Sequence, residues 1–266
     1  MVDKFVSVDW LNNHLNDNNL IILDASADFD NDHTISYAQH FDLANTFSDE
    51  KSSYPNTLPS QAKFQKEARK LGINNDSSIV VFDNKGIFYS PRVWWMFTTM
   101  GFKNIAVLDG GLPEWKNKGY PTAISNNRNV QIGDFTAHFN PTALKNYDEI
   151  LKNRKSCDFQ LIDARSKGRF DGIAPEPRPH LKSGHIENSI NLPYTTVLEN
   201  GKYKSEEKLN NIFRNLNLTQ KPIVFTCGSG VTACIILFAL ELISNREKSV
   251  YDGSWTEWAE KQELFI

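Results

Sequence analysis

The chain has 266 residues, of which 40% are hydrophobic and 23% are charged, the balance of a globular protein with one large or two ordinary domains. A net charge of -3 and scattered lysines and arginines argue against nucleic acid as a partner. The three cysteines form no CxxC pair and are odd in number, which argues against a disulfide framework and favours a reducing, cytoplasmic setting. The first residues lack the apolar segment of a signal peptide, and the longest apolar run, residues 231–240, is too short to span a membrane.

Short β-branched segments alternate with helical patterns along the chain. Helices are predicted over residues 61–71, 92–100 and 206–216, and apolar strands over residues 20–25, 79–82, 159–164 and 223–226. Continuous apolar strands between helices predict parallel sheets that are covered on both faces, which is the α/β class. Sites in such sheets form beyond the carboxyl ends of the strands.

The two halves of the chain repeat each other. The segment at residues 109–115, Asp-Gly-Gly-Leu-Pro-Glu-Trp, recurs at residues 252–258 as Asp-Gly-Ser-Trp-Thr-Glu-Trp. The strands at residues 20–25 and 79–82 have counterparts at residues 159–164 and 223–226. The sequence therefore predicts two tandem domains from internal duplication, residues 1–121 and 143–266, joined by a linker over residues 122–142.

Cys227 follows the apolar strand of the second half and opens the loop Cys-Gly-Ser-Gly before an apolar helix. Backbone N–H groups of this loop, together with the positive end of the helix dipole, are expected to point at the thiol. Both favour the thiolate, which is the nucleophilic form of cysteine. Alignment of the repeats puts Asp83 where Cys227 stands, so the first domain is predicted to have a similar loop without a nucleophile and to be catalytically inactive.

On these segments the chain resembles two-domain sulfurtransferases of the rhodanese superfamily. Further segments that carry the resemblance are Gly-Arg-Phe at 168–170, Glu-Pro-Arg at 176–178, Gly-His-Ile at 184–186, Asn-Leu-Pro at 191–193 and Pro-Arg-Val-Trp-Trp-Met-Phe at 91–97. The loop Cys-Gly-Ser-Gly resembles that of 3-mercaptopyruvate sulfurtransferases, whereas thiosulfate-type rhodaneses usually carry Cys-Arg-Lys-Gly. Two cations in the loop suit a compact dianion such as thiosulfate, and this loop has none.

The resemblance implies a transferase that moves sulfur from 3-mercaptopyruvate to a thiol or to cyanide through a persulfide on Cys227, with release of pyruvate. It implies no metal and no organic cofactor, and a thiol acceptor such as thioredoxin or a small thiol. It assigns Arg169 and Arg178 to the carboxylate and carbonyl of the substrate, and guanidinium groups bind carboxylates through paired charge-assisted hydrogen bonds. It makes Ser229 a donor to the substrate or a relay for its thiol proton.

The remaining site residues follow from the same resemblance. The sulfur is expected to lie among the backbone N–H groups of residues 228–232, which include Gly228, Gly230, Val231 and Thr232. Tyr89 matches a residue that lines the substrate cleft in the superfamily.

One departure from the superfamily concerns Ser229. Relatives often carry an acid and a histidine in the first half that assist this serine, and the corresponding positions here are Ala44 and Asn56. Neither side chain can serve as that acid or base. Asp42, His40 or water are the remaining candidates for a proton relay.

Three other functions compete with this interpretation. A thiosulfate sulfurtransferase is the nearest alternative. A phosphatase with a Cys-x5-Arg loop would need arginine at the position of Ala233, and alanine cannot bind phosphate. A non-catalytic binding module fits poorly with an intact Cys227 loop beside the Asp83 loop of the first half.

Overall fold

The computed structural model describes residues 2–124 and 130–266, so residues 125–129 of the predicted linker lie outside the described residues. The chain divides into two compact units, which consist of Met1–Lys51, Leu58–Asn140 and Asn200–Tyr203, and of Ser52–Thr57, Pro141–Glu199 and Lys204–Ile266. Each unit therefore includes one short segment from the other half of the sequence. None of the helices in the described ranges has the length and apolar character needed to cross a membrane.

The first half of the chain forms one parallel sheet with flanking helices. In chain order its elements are β1 (Phe5–Val6), α1 (Val8–His14), β2 (Leu20–Asp24), β3 (Ala38–His40), α2 (Gln61–Lys70), β4 (Ser78–Phe82), α3 (Ser90–Thr99), β5 (Ile105–Leu108) and α4 (Gly111–Asn117). The strand order is β1-β5-β4-β2-β3, and every neighbouring pair is parallel. Val80 and Phe82 of β4 pack in one apolar cluster with Leu11 and Trp115. Burial of residues 79–82 explains why this part of β4 is continuously apolar.

Residues 130–140 of the predicted linker pack within the first unit. The N–H of Gly133 donates to the carbonyl of Arg69 at 2.8 Å, and the N–H of Phe135 donates to the carbonyl of Ile73 at 3.1 Å. The ring of Phe135 is buried with the aromatic side chains of Phe64 and Phe97. The apolar ring of Phe135 thus anchors a segment whose polar and proline-containing sequence predicted a linker.

The second half repeats the sheet of the first. Its elements are β6 (Leu144–Lys145), α5 (Tyr147–Ser156), β7 (Gln160–Asp163), α6 (Lys167–Phe170), β8 (Ser189–Asn191), β9 (Leu198–Glu199), β10 (Lys202–Tyr203), α7 (Glu206–Asn215), β11 (Ile223–Thr226), α8 (Val231–Ile243), β12 (Lys248–Tyr251) and α9 (Ser254–Lys261), with 3-10 turns at Pro141–Ala143 and Tyr194–Val197. The strand order β6-β12-β11-β7-β8 is again parallel throughout. The same order in both halves confirms the α/β class and the duplication.

Two local features fix where the second sheet presents its central strand. Strand β11 lies between β12 and β7, so its carboxyl end opens at the middle of the sheet edge. Helix α8 starts four residues after Cys227 and is buried along most of its length, from Val231 to Leu240. A helix that is apolar all round lies within the core, which fixes the position of its first turn. The loop between β11 and α8 is therefore held by rigid elements at both ends.

Candidate active site

Cys227 lies directly after β11, where the sequence predicted it, and it is buried, with 2% of its surface exposed. The loop ends at Gly230, whose φ of 78° is in the left-handed region that favours glycine. This turn lets α8 begin at Val231 with its amino terminus directed toward the loop. The helix dipole therefore presents its positive end near the thiol.

The first turn of α9 supports the backbone of this loop. The N–H of Trp255 donates to the carbonyl of Cys227 at 2.9 Å. The N–H and the hydroxyl of Thr256 both donate to the carbonyl of Gly228, at 3.1 and 2.7 Å. These bonds fix the loop carbonyls on the α9 side. The segment at residues 252–258 thus has a structural role, the support of the Cys227 loop, that its sequence did not reveal.

One member of the predicted N–H ring is used elsewhere. The N–H of Gly230 donates to the hydroxyl oxygen of Ser254 at 3.1 Å rather than to the sulfur. The reason is the left-handed turn at Gly230, which brings its amide to the start of α9. The prediction that all N–H groups of residues 228–232 surround the sulfur is therefore wrong at residue 230. Gly230 acts through the shape of the turn.

Arg169 lies against the Cys227 loop. A Cβ atom on Gly228 would be 2.9 Å from Nη2 of Arg169, so the guanidinium occupies the space that a side chain at residue 228 would need. Nε and Nη2 of Arg169 both donate to Oε2 of Glu176. Because that edge of the guanidinium is engaged, the edge formed by Nη1 and Nη2 is the one suited to a bidentate contact with a substrate carboxylate.

Glu176 connects Arg169 to a buried chain of charges. Its other carboxylate oxygen, Oε1, accepts from Nη1 of Arg165 at 2.8 Å. Arg165 is fully buried, pairs with Asp163 at 2.6 Å, and lies over the ring of Trp255 at 4.2 Å. Buried charges are stable only when they are paired and hydrogen-bonded, and each of these four has a partner. Glu176 belongs to the Glu-Pro-Arg segment, and its role could not be predicted from the sequence because only its long-range partners reveal it.

Arg178 contrasts with Arg169 in its surroundings. It is half-buried, and its backbone carbonyl accepts from the N–H of Leu181 at 3.0 Å. Within residues 2–124 and 130–266, no acidic side chain forms an ion pair with its guanidinium. Arg178 follows Glu176 by two residues on a proline-containing segment, so the ion pairs of Glu176 also fix the backbone near Arg178.

Ser229 has a partner that the sequence analysis placed correctly. Nδ2 of Asn56 donates to Oγ of Ser229 at 3.2 Å, and the segment that carries Asn56 belongs to the second unit. The alignment that put Asn56 at a position assisting Ser229 is therefore confirmed. An amide does not titrate near neutral pH, so it orients this hydroxyl without accepting its proton.

The other relay candidates are engaged in the first unit. Ala44 is exposed, and the carboxylate of Asp42 accepts the N–H groups of Asn45 and Thr46. Burial acts to raise the pKa of Asp42, but these hydrogen bonds outweigh it and lower that pKa. Nε2 of His40 lies 3.2 Å from the carbonyl of Ser26.

The loop of the first half is built around a carboxylate. Oδ2 of Asp83 accepts from the N–H groups of Phe88, Tyr89 and Ser90 at 3.0, 2.9 and 2.9 Å, and also from the hydroxyl of Ser90 at 2.8 Å. Oδ1 accepts from the N–H of Lys85 at 3.0 Å. The predicted loop without a thiol is present, and its N–H groups are directed at a side-chain anion.

The two loops differ in length, which the residue-by-residue alignment of the repeats missed. Helix α3 starts seven residues after Asp83, at Ser90, whereas α8 starts four residues after Cys227. The additional residues supply the N–H groups that contact Asp83. Tyr89 is one of them, and its hydroxyl accepts from Nζ of Lys85 at 3.3 Å. Its role in lining a substrate cleft stays a prediction.

No group of three or more histidine, cysteine, aspartate or glutamate side chains in the described ranges is placed to hold a metal ion. All three cysteines, Cys157, Cys227 and Cys234, are free thiols.

Comparisons with known proteins agree with this architecture. The model of the rhodanese-like domain matches residues 7–118 and 146–261. The 3-mercaptopyruvate sulfurtransferase of Mus musculus is 38% identical over 88% of this chain and 80% of its own, and the thiosulfate sulfurtransferase of Rattus norvegicus is 43% identical over 79% and 72%. A crystal structure of a 3-mercaptopyruvate sulfotransferase from Escherichia coli superposes with a TM-score of 0.84 at 33% identity, covering 96% of this chain and 99% of that one.

Two matched domains, two equal sheets and one cysteine loop at the carboxyl end of a central strand lead to one assignment. The chain belongs to the rhodanese family, with two rhodanese-like domains.

Proposed function

We propose that this protein is a sulfurtransferase that moves sulfur from 3-mercaptopyruvate to a thiol or to cyanide through a persulfide on Cys227, with release of pyruvate. The observation that carries the proposal is the guanidinium of Arg169 against Gly228, in the same loop as the nucleophile. A keto acid needs a cation for its carboxylate next to the attacking sulfur, and this arrangement supplies one. The mouse and E. coli relatives bear the name of this activity.

The reaction divides into two transfers through a covalent intermediate. The Cys227 thiolate attacks the sulfur of 3-mercaptopyruvate, an S–S bond forms, and the C–S bond breaks. The electron pair of the C–S bond leaves with the carbon as the enolate of pyruvate, which takes up a proton, and Cys227 keeps the sulfur as a persulfide. The donor's thiol proton stays on this persulfide. The thiolate of a second thiol then attacks the outer sulfur, leaves with it as its own persulfide and returns Cys227 as the thiolate. Atoms and charges balance with one proton taken up in the first transfer and no redox partner.

We assign Arg169 and Arg178 to the charge of the donor. Arg169 is aligned by Glu176 and offers its terminal N–H groups beside the loop. Arg178 lacks an acidic partner in the described ranges, which suits a cation that receives an anionic substrate. Both would also stabilise the negative charge that develops on the enolate.

We assign Ser229 the role of a hydrogen-bond donor to the substrate. Its oxygen accepts from Asn56, which leaves the hydroxyl proton to be given to the substrate carbonyl or sulfur. The Asn56 amide does not accept a proton at neutral pH, so we propose that the proton balance of the first transfer is met by solvent.

Thiosulfate is the second candidate donor, because a rat relative that bears its name is 43% identical over 79% of this chain. The loop of this chain carries no cation between Cys227 and Val231, and Arg169 fills the space beside Gly228. A loop without its own cations disfavours a dianion. Steady-state rates with both donors separate the two functions, and we expect kcat/KM for 3-mercaptopyruvate to exceed that for thiosulfate by about tenfold or more. A preference for thiosulfate would overturn the assignment of the donor.

The persulfide can be detected directly. After exposure to the donor, mass spectrometry of the peptide that contains Cys227 is expected to show a gain of about 32 Da, one sulfur. Cys227→Ser is expected to abolish the gain, and Cys157→Ser, which alters an exposed thiol, is the matched control that keeps it. No gain in the wild type would favour a non-catalytic binding module.

The acceptor and the setting complete the proposal. Free cysteines fit a reducing compartment, and we propose the cytoplasm, with thioredoxin or a small thiol as acceptor. Rates of discharge of the loaded persulfide by thioredoxin, by a small thiol and by cyanide would rank these acceptors. We also propose the domain boundaries 1–121 and 143–266, and a place for Tyr89 in the substrate cleft, where Tyr89→Phe should alter KM more than kcat.

A further inference from the structure

The hydroxyl of Ser254 makes three hydrogen bonds at the base of the Cys227 loop. Its oxygen accepts from the N–H of Cys227 at 3.3 Å and from the N–H of Gly230 at 3.1 Å, and its proton goes to the carbonyl of Tyr251 at 2.9 Å. The side chain is fully buried. One hydroxyl thus joins the first and last residues of the four-residue loop to the end of β12.

The backbone at Ser254 shows that this hydroxyl is kept against a conformational cost. Its φ is 53°, a left-handed conformation that non-glycine residues avoid. The residue at the same place in the first repeat is Gly111, with a φ of 54°. Two copies of one turn therefore carry the residue that the backbone favours in the inactive half, and a strained serine in the half with the nucleophile.

The neighbouring bonds show that the rest of the turn is the same. In the second half the N–H of Trp255 donates to the carbonyl of Cys227, and in the first half the N–H of Leu112 donates to the carbonyl of Asp83 at 3.0 Å. A Cβ atom on Gly111 would approach the carbonyl oxygen of Asp83 to 2.4 Å. The first half therefore excludes a side chain where the second half uses one.

A physical reason for the difference lies in what each loop surrounds. The Asp83 carboxylate accepts the N–H groups of its own loop and so holds that loop in shape. A cysteine sulfur is a weak hydrogen-bond acceptor. The charge and the length of the cysteine side chain also change when a second sulfur is added and removed. A loop around such a group needs an anchor that stays constant through the cycle, and a buried hydroxyl on a neighbouring helix is one.

We infer that Ser254 is a positioning residue for sulfur transfer: its hydroxyl fixes the N–H groups of Cys227 and Gly230, so that the remaining loop amides keep their direction toward the sulfur in both the thiol and the persulfide forms. This inference rests on the proposed role of Cys227 as the nucleophile. Ser254 does not touch the substrate in this arrangement and acts only through the loop.

The test uses two variants of the full chain that remove the hydroxyl in different ways. Ser254→Gly also removes the backbone strain and installs the residue of the first half, whereas Ser254→Ala keeps the strain. Both are expected to lower kcat for the sulfur donor by about tenfold or more and to leave KM within about threefold, because misdirected amides affect the transferred sulfur more than the bound carboxylate. Amide hydrogen exchange at residues 227–232 should be faster in both variants.

Ser90→Ala is the matched control, since it removes a buried hydroxyl bond from the corresponding loop of the first half and should leave kcat unchanged. An unchanged kcat in both Ser254 variants, or a loss in Ser254→Ala alone, would overturn the inference, the second because it would trace the effect to strain. If the wild type forms no persulfide, the proposed function fails. The exchange rates of the loop amides then still decide whether Ser254 anchors the loop: unchanged exchange in both variants would overturn that part too.

Discussion

The loops after β4 and β11 are two copies of one turn, and they differ in where their stabilising contacts come from. The Asp83 loop closes on its own carboxylate, which accepts four backbone N–H groups and one hydroxyl. The Cys227 loop is held from outside, by Trp255 and Thr256 at its carbonyls and by Ser254 at its amides. A loop that stabilises itself has its amides occupied, whereas an externally supported loop can direct amides at a group that changes.

The carboxylates at the ends of β2 and β7 repeat the same contrast. Asp24 accepts from the hydroxyls of Ser26 and Thr34, and its burial raises its pKa while these bonds act to lower it. Asp163, at the corresponding place, is paired with Arg165 and through it with Glu176. Neutral donors satisfy Asp24 locally, whereas Arg165 extends the contact of Asp163 to Glu176 and so to Arg169.

The largest effect is expected from giving the Cys227 loop the residue of the Asp83 loop. Cys227→Asp removes the proposed nucleophile, and the loop is too short to surround a carboxylate as the Asp83 loop does. Sulfur transfer should fall by about a thousandfold or more, measured as kcat with 3-mercaptopyruvate and cyanide. Cys157→Ser should retain full activity. Residual transfer above that of buffer in Cys227→Asp would show that another group carries the sulfur.

The next effect concerns the charge chain. Glu176→Gln leaves Arg165 and Arg169 with one formal negative charge fewer between them. We expect kcat/KM for the donor to fall by about 10²-fold because Arg169 loses its alignment. The free energy of unfolding should fall by about 3 kcal/mol, since a buried charge loses its partner.

Thr34→Val is the control for Glu176→Gln, because it removes a buried hydrogen bond from Asp24 in the other half. It should lower the midpoint of urea unfolding and leave kcat/KM near that of the wild type. Equal losses of kcat/KM in the two variants would mean that Glu176 acts only on stability.

A smaller effect, on stability alone, is expected at Asp83. Asp83→Asn keeps the size of the side chain but replaces one carboxylate oxygen with an amide nitrogen, which cannot accept the loop N–H groups. The free energy of unfolding should fall by about 2 kcal/mol, measured by urea denaturation. Persulfide yield on Cys227 below the unfolding transition should not change. A lower yield in the folded variant would contradict the assignment of this loop as inactive.

The sequence was sufficient for the features that local patterns encode. Apolar runs of four or five residues placed the strands, the position of Cys227 after one of them placed the proposed nucleophile, and the repeat placed Asp83 in the corresponding loop of the first half. The predicted helices agree with α2, α3 and α7 to within two residues. Such features depend on residues close together in the chain, and pattern analysis detects them well.

What the sequence did not reveal depends on long-range register. Ser254 reaches Cys227 across 27 positions because β11 and β12 are neighbours, and the contact between Asn56 and Ser229 spans 173 positions. Glu176 gained a role only when Arg165 and Arg169 were seen on its two oxygens. The sequence does carry one signal for a role of Ser254. It replaces the glycine of the first repeat, Gly111, at a turn that the two halves otherwise share.

The smallest effect is expected at Asn56, where an amide stands in place of a titratable group. Asn56→His keeps a side chain that tolerates the positive φ of 60° and places an imidazole beside Ser229. A neutral imidazole can accept the serine proton, whereas its protonated form cannot. The profile of kcat/KM against pH should therefore gain a limb near pH 6.5, with activity rising about threefold above it. Asn56→Ala should lose about threefold at every pH, because only the orientation of the hydroxyl is removed. A limb near pH 6.5 in the wild type that disappears in Asn56→Ala would contradict this prediction. It would show that a titrating proton relay at Ser229 already depends on the Asn56 side chain.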